Sequence, residues 1–169
     1  MLARRAMGGA AVFRPRLPLA ATAGGTAFHA RPLATMIPSP PSDSLVDASK
    51  VFVKNDAYGG AGAYATVAIK SGDVVEKGIV RVLTNADGNE NPYVFTWSET
   101  IPNTTWAIGS GCSTFYNTAE EADANTHMER DYANCSFVIL ATKDIAEGDE
   151  LLHVYKSKKW RTCFEDLNA

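Results

Sequence analysis

Two stretches of this chain repeat one another. Residues 65–75 read ATVAIKSGDVV and residues 141–151 read ATKDIAEGDEL. In each, a strand ends, an isoleucine (Ile69 or Ile145) marks a buried step, and a Gly-Asp pair turns the chain into the next apolar segment. Gly72 and Gly148 supply the positive φ that such turns need. A chain holding two such corners is committed to short strands that turn back on themselves.

The rest of the body agrees with that constraint. Val51 to Lys54 is β-branched and aromatic, and a turn-rich stretch from Asn55 to Gly62 follows. Ala63 to Ile69, Val74 to Leu83, Tyr93 to Trp97, Thr104 to Ile108, Cys135 to Thr142 and Glu150 to Tyr155 are further strand candidates, separated by turn residues. Glu120 to Glu129 reads as loop or a short helix. The helices expected are short ones near Ser113 to Tyr116 and after Lys156. The fold class is therefore mainly β, in several short sheets with few short helices.

Charge divides the chain. Residues 1–42 hold Arg4, Arg5, Arg14, Arg16 and Arg31 and no acid; from Asp43 onward all 19 acids face eleven bases. The formal net charge of -3 thus hides a cationic leader and an acidic body. Residues 1–36, rich in Ala, Arg, Gly and Pro, read as a disordered transit peptide, mitochondrial first, with a plastid or an untargeted nuclear or cytoplasmic protein as alternatives. Residues 37–49, with Pro38, Pro40 and Pro41, read as a linker; the domain occupies 50–164 and a tail 165–169. An acidic body disfavours direct nucleic-acid binding and suits a basic protein segment. No apolar run approaches a membrane span. Cys112, Cys135 and Cys163 are too scattered for a zinc set, and His29, His127 and His153 are isolated, so no metal is expected.

Four stretches, in order, resemble the SET family of protein-lysine methyltransferases, and within it the minimal viral type. Gly59 to Ala65 resembles the opening glycine motif, continued by Ile69 to Glu76. Gly111 to Asn117 resembles the segment that ends in the family's Asn-His-Ser motif, with Ala122 to Asn125 as the acid-rich stretch after it. Phe137 to Leu151 resembles the strand and turn that lead to the catalytic tyrosine. Tyr155, with Trp160 five residues on, resembles the ending. The resemblance covers about 115 residues, nearly all of the body. It implies a β-clip fold of the SET type, S-adenosylmethionine as cofactor, and a lysine of another protein as methyl acceptor.

Direct methyl displacement rewards positioning more than an unusual nucleophile. The resemblance places Gly60, Ala61, Gly62 and Tyr64 at the methionine end of the cofactor, where glycines admit a close backbone approach. Asn117 and Thr118 would contact its amino-acid and adenine parts, and Trp160 would cover the adenine or close the channel. Thr118 and Ala119 stand where the family has His and Ser, and Lys156 where it often has Gly. Tyr155 would align the substrate amine; an ordinary phenol pKa of about 10 makes it a poor base. Tyr93, Phe95 and His153 would line the lysine channel, His153 sharing a strand face with Tyr155. Asn117 and Tyr155 are expected to converge on one pocket. Two other readings stay open at this point: a catalytically inactive SET-like module that binds proteins, and an unrelated β-clip binding domain.

Overall fold

The repeated corners lock onto each other. In the computed structural model, which describes residues 41–99 and 105–167, Ile69 and Ile145 pair antiparallel, each donating its N–H to the other's carbonyl at 2.9 Å. Gly72 N–H donates to the Ala141 carbonyl and Gly148 N–H to the Ala65 carbonyl, both at 2.8 Å. The return bonds, Ala141 to Asp73 and Ala65 to Asp149, are made in the same reciprocal way. Both glycines sit at positive φ, +88° and +85°. The near-repeat in sequence is therefore a local two-fold in space, and Ile69 and Ile145 are both buried in the core. The leader, residues 1–36, and the first linker residues lie outside the described residues.

The architecture is mainly β, as expected. Strand β1 (Val51–Asn55) pairs antiparallel with β2 (Ala61–Ala65), Phe52 opposite Tyr64. The other seven strands are β3 (Val74–Leu83), β4 (Phe95–Thr96), β5 (Trp106–Gly109), β6 (Asn117–Thr118), β7 (Thr126–Asp131), β8 (Ser136–Ala141) and β9 (Leu152–His153). They form one curled sheet in the order β4-β5-β3-β8-β7-β9-β6. Short 3-10 helices occupy Ser113–Phe115, Lys156–Lys159 and Thr162–Leu167, where the sequence called for helix. Backbone pairing begins earlier than position 50, because Asp47 bridges Lys77 of β3. All described residues belong to one compact unit, Ser39–Ala169.

Alternation along β8 (Phe137, Ile139 and Ala141 inward) builds the core together with Val75 and Val80 of β3 and with Ala63, Ala65 and Leu151. Two strand expectations change. The stretch expected to be loop or short helix holds β7, where Thr126 and Met128 are buried and the other residues of the strand are exposed. Period two was present, but with a threonine and a methionine on the buried face instead of a β-branched apolar pair. The last strand shrinks to Leu152–His153, and its main role is to lie parallel to β6, Asn117 beside Leu152 and Thr118 beside His153. That parallel contact brings two segments far apart in sequence to the same place.

Candidate functional site

The glycine hairpin supplies one half of the site. Asp56 closes its turn by accepting the N–H groups of Tyr58 and Gly60, both at 2.8 Å. Its other oxygen accepts from Asn117 Nδ2 at 3.1 Å, and Glu150 Oε1 accepts from the same nitrogen at 2.8 Å. A Cβ at Gly62 would lie 2.8 Å from Glu150 Oε1 and 3.1 Å from Asn117 Nδ2, so β2 and these side chains meet only because residue 62 has none. Gly60, Gly62, Tyr64 and Asn117 thus gather at one locus. The Asn117 Nδ2 donor is committed, while among the described residues its Oδ1 acceptor has no partner. Burial, with the Glu150 and Asp56 carboxylates, raises the Tyr64 phenol's pKa.

A cavity of about 880 Å³ supplies the other half. Its wall takes Tyr93 and Phe95 from the β4 segment, Thr126 and His127 from β7, and His153 and Tyr155 from the last strand and its exit. The three residues expected to line a substrate channel, Tyr93, Phe95 and His153, therefore share one space with Tyr155. Tyr155 is held at three points: its Oη donates to the Tyr116 carbonyl at 2.5 Å, its N–H to Thr118 Oγ1 at 3.4 Å, and its ring lies 5.4 Å from that of Phe164. Burial pushes the phenol up to about 12, so it is neutral at physiological pH. With its proton committed to a carbonyl, the oxygen's lone pairs remain to accept a bond.

His153 is also neutral. Burial first, then the charges of His127, Arg130 and Lys156, lower it to about 4. Its tautomer follows from Thr126, whose hydroxyl donates to the Leu152 carbonyl at 2.8 Å. The contact of that oxygen with His153 Nδ1 at 3.2 Å must then be donated by the ring. Nε2 is left as an acceptor. The His127 ring lies nearly parallel, 12° off, with centroids 6.4 Å apart.

Asn117 and Tyr155, expected in a single pocket, do not both line the cavity: Tyr155 is in its wall and Asn117 is not. Tyr116 lines the cavity and Asn117 faces the glycine hairpin, so the peptide between them links the two, and Tyr155 bonds to that peptide's carbonyl. Thr118 contributes its hydroxyl to the Tyr155 backbone. Trp160 is half exposed, its ring 6.2 Å from Trp106, and it lines no part of the cavity. Sequence reasoning missed Asp56, Glu150, Tyr116 and Arg161. Arg161 is 3% exposed, donates to the Gly88 and Asn91 carbonyls at 2.8 and 2.6 Å, and lies over the Trp106 and Phe164 rings. A lone basic residue after a Lys-rich turn gives no hint of burial.

A family model described as "SET domain" matches residues 60–156. No curated protein sequence matches the chain. Among solved structures, a Plasmodium falciparum protein described as a candidate histone methyltransferase superposes with a TM-score of 0.51 at 19% identity, covering 63% of this chain and 92% of that one. A humanized mutant of the Chaetomium thermophilum Polycomb Repressive Complex 2, bound to an inhibitor, gives 0.51 at 23%, covering 63% of this chain and 15% of that one. ATXR5 in complex with methylated histone H3.1 gives 0.50 at 18%, covering 63% and 56%. At these identities the likeness is one of fold, and this chain spans only a small part of the Polycomb chain.

Proposed function

The chain belongs to the SET domain family, and on that premise we propose that it transfers a methyl group from S-adenosylmethionine to a lysine side chain of a protein. The observation that carries the proposal is the Tyr155 Oη bond to the Tyr116 carbonyl. It puts a neutral phenol, with its acceptor lone pairs free, on the wall of the cavity beside a glycine-bounded polar cradle.

S-adenosylmethionine supplies a methyl group on a positively charged sulfur. The cradle fits such a cation: the Asp56 and Glu150 carboxylates flank Asn117, and Gly62 leaves backbone bare where a side chain would intrude. Gly60, Ala61, Gly62, Tyr64, Asn117 and Thr118 are the residues that would hold the cofactor. Asn117 Oδ1 is available to accept an ammonium proton. Thr118, standing where the resemblance calls for histidine, braces Tyr155 through the backbone contact already described.

On the cavity side the amine must arrive neutral and aimed. Tyr155 accepts an N–H of the amine and fixes its direction, and a phenol held near 12 does not compete as a base. Neutral His153 adds no cation to the wall, while Arg161 and Lys156 on the same wall disfavour a second positive charge and so favour loss of the ammonium proton to solvent. Tyr93 and Phe95 present aromatic faces to the lysine stem. Glu121 and Glu129 at the same wall suit a basic segment around the target lysine. If the leader directs the chain to an organelle, the substrate is an organellar protein.

The test is transfer of isotope-labelled methyl from S-adenosylmethionine to organelle extract and to histones side by side, with the modified residue identified by mass spectrometry. Label on lysine that disappears with Tyr155→Phe supports the reading. A folded chain that labels neither protein pool, or a Tyr155→Phe chain as active as the parent, contradicts it.

A further inference from the structure

The direction of the Tyr155 phenol depends on the Tyr116 carbonyl, so whatever fixes that carbonyl also fixes the phenol. Tyr116 is buried, and its Oη donates to Glu76 Oε2 at 2.9 Å. The other oxygen of Glu76 accepts the Cys112 N–H at 2.7 Å. Glu76 lies on β3 with no exposed surface at all. The turn that delivers Cys112 passes through Gly111 at φ +65°, and a Cβ there would overlap Glu76 Oε1.

A carboxylate in this position is costly. Neither donor is a cation, and Asp47, packed on the same side, adds like charge; burial outweighs the two hydrogen bonds and raises Glu76 to about 7. The groups facing it are Asp47, Cys112 and Tyr116, and burial with the Glu76 charge raises Cys112 and Tyr116 in turn. An apolar side chain of similar volume would serve packing alone better. What the carboxylate provides is two acceptors at once, tying the 3-10 turn before β6 and the ring of the residue whose carbonyl orients the phenol.

We propose that Glu76 is a positioning residue for Tyr155, acting through Tyr116. The proposal rests on the role given to Tyr155 above. Glu76 touches neither cavity nor cradle; it holds the Tyr116–Asn117 peptide that links them. Moving that peptide shifts the phenol on one side and the Asn117 amide on the other.

The test uses the full chain with ¹³C-labelled tyrosine and the variants Glu76→Gln and Tyr116→Phe. Tyr155 is assigned by its loss in Tyr155→Phe. In the parent chain the Tyr155 ring-carbon resonance is expected to shift with an inflection near pH 7 as Glu76 ionises. Glu76→Gln removes the inflection. Tyr116→Phe keeps the carboxylate but cuts the link, and the inflection collapses; an inflection undiminished in Tyr116→Phe would mean that only the distant charge is felt, and would overturn the proposal. In transfer assays Tyr116→Phe is expected to lower kcat on the order of tenfold or more with KM for the protein substrate unchanged, and Glu76→Gln to fall less because its amide oxygen still accepts one bond. Unchanged kcat in both variants would also overturn it. If the parent chain transfers no methyl, the functional reading fails, and the resonance measurement still decides the link.

Discussion

Stability between pH 5 and 8 should be nearly level in this protein because two large terms oppose each other. Glu76 sits at about 7 against an ordinary 4.5, so the folded state holds its proton more tightly than the unfolded chain does. Its contribution is fully present below pH 4.5 and is lost as pH rises through 7. His153 sits at about 4 against 6.5, so its folded state resists protonation, and its contribution is present above 6.5 and lost as pH falls through 4. At about 1.4 kcal/mol per pH unit, each gap comes to about 3 kcal/mol, somewhat less for His153, which keeps partial solvent contact. About 2 kcal/mol of each falls between pH 5 and 8. Urea unfolding followed by tryptophan fluorescence resolves the two terms. Glu76→Gln should leave a chain that loses about 2 kcal/mol on going from pH 8 to pH 5, and His153→Phe one that gains about 2 kcal/mol over the same range. If both variants stay as level as the parent, the burial argument for these two groups is wrong.

Gly62→Ala should keep the fold but weaken S-adenosylmethionine binding about tenfold, because its Cβ displaces Glu150 from Asn117; titration calorimetry checks this. Gly88→Ala should destabilise by about 1–3 kcal/mol, since the Cβ would overlap the Trp106 ring and force the loop that Arg161 holds; thermal melts report it. Gly72→Ala and Gly148→Ala, at nearly equal positive φ with open space around both, should each cost about 1–2 kcal/mol and by similar amounts. Unequal losses would mean that the two corners are alike in sequence but not in energy.

The β corners were legible because a Gly-Asp turn after a buried isoleucine is a local pattern, and local patterns are what a sequence displays. The pairing of one corner with the other was not, since Ile69 and Ile145 meet across most of the domain's length. Tyr93, Phe95, His153 and Tyr155 could be grouped from the resemblance, and all four do line one cavity. Asn117 could be flagged, but which way its amide faced depended on Asp56 and Glu150, which approach from two other segments. Glu76 carried a faint signal, an acid inside the apolar run of β3, yet alternation alone places it on neither face with certainty because a bulge interrupts the pairing between Val74 and Glu76. β7 was missed for a related reason: the inward pair Thr126 and Met128 lacks the β-branched apolar character by which strands are recognised.

The central claim is that the cradle of Gly62, Asn117, Asp56 and Glu150 takes a cationic methyl donor. Isothermal titration of the full chain with S-adenosylmethionine, beside Asn117→Ala, tests it most directly. Saturable one-site binding at roughly micromolar strength, lost in the variant while its unfolding midpoint is kept, is the expected result. A well-folded parent chain that gives no binding heat by titration and no thermal shift with the same ligand would contradict the account.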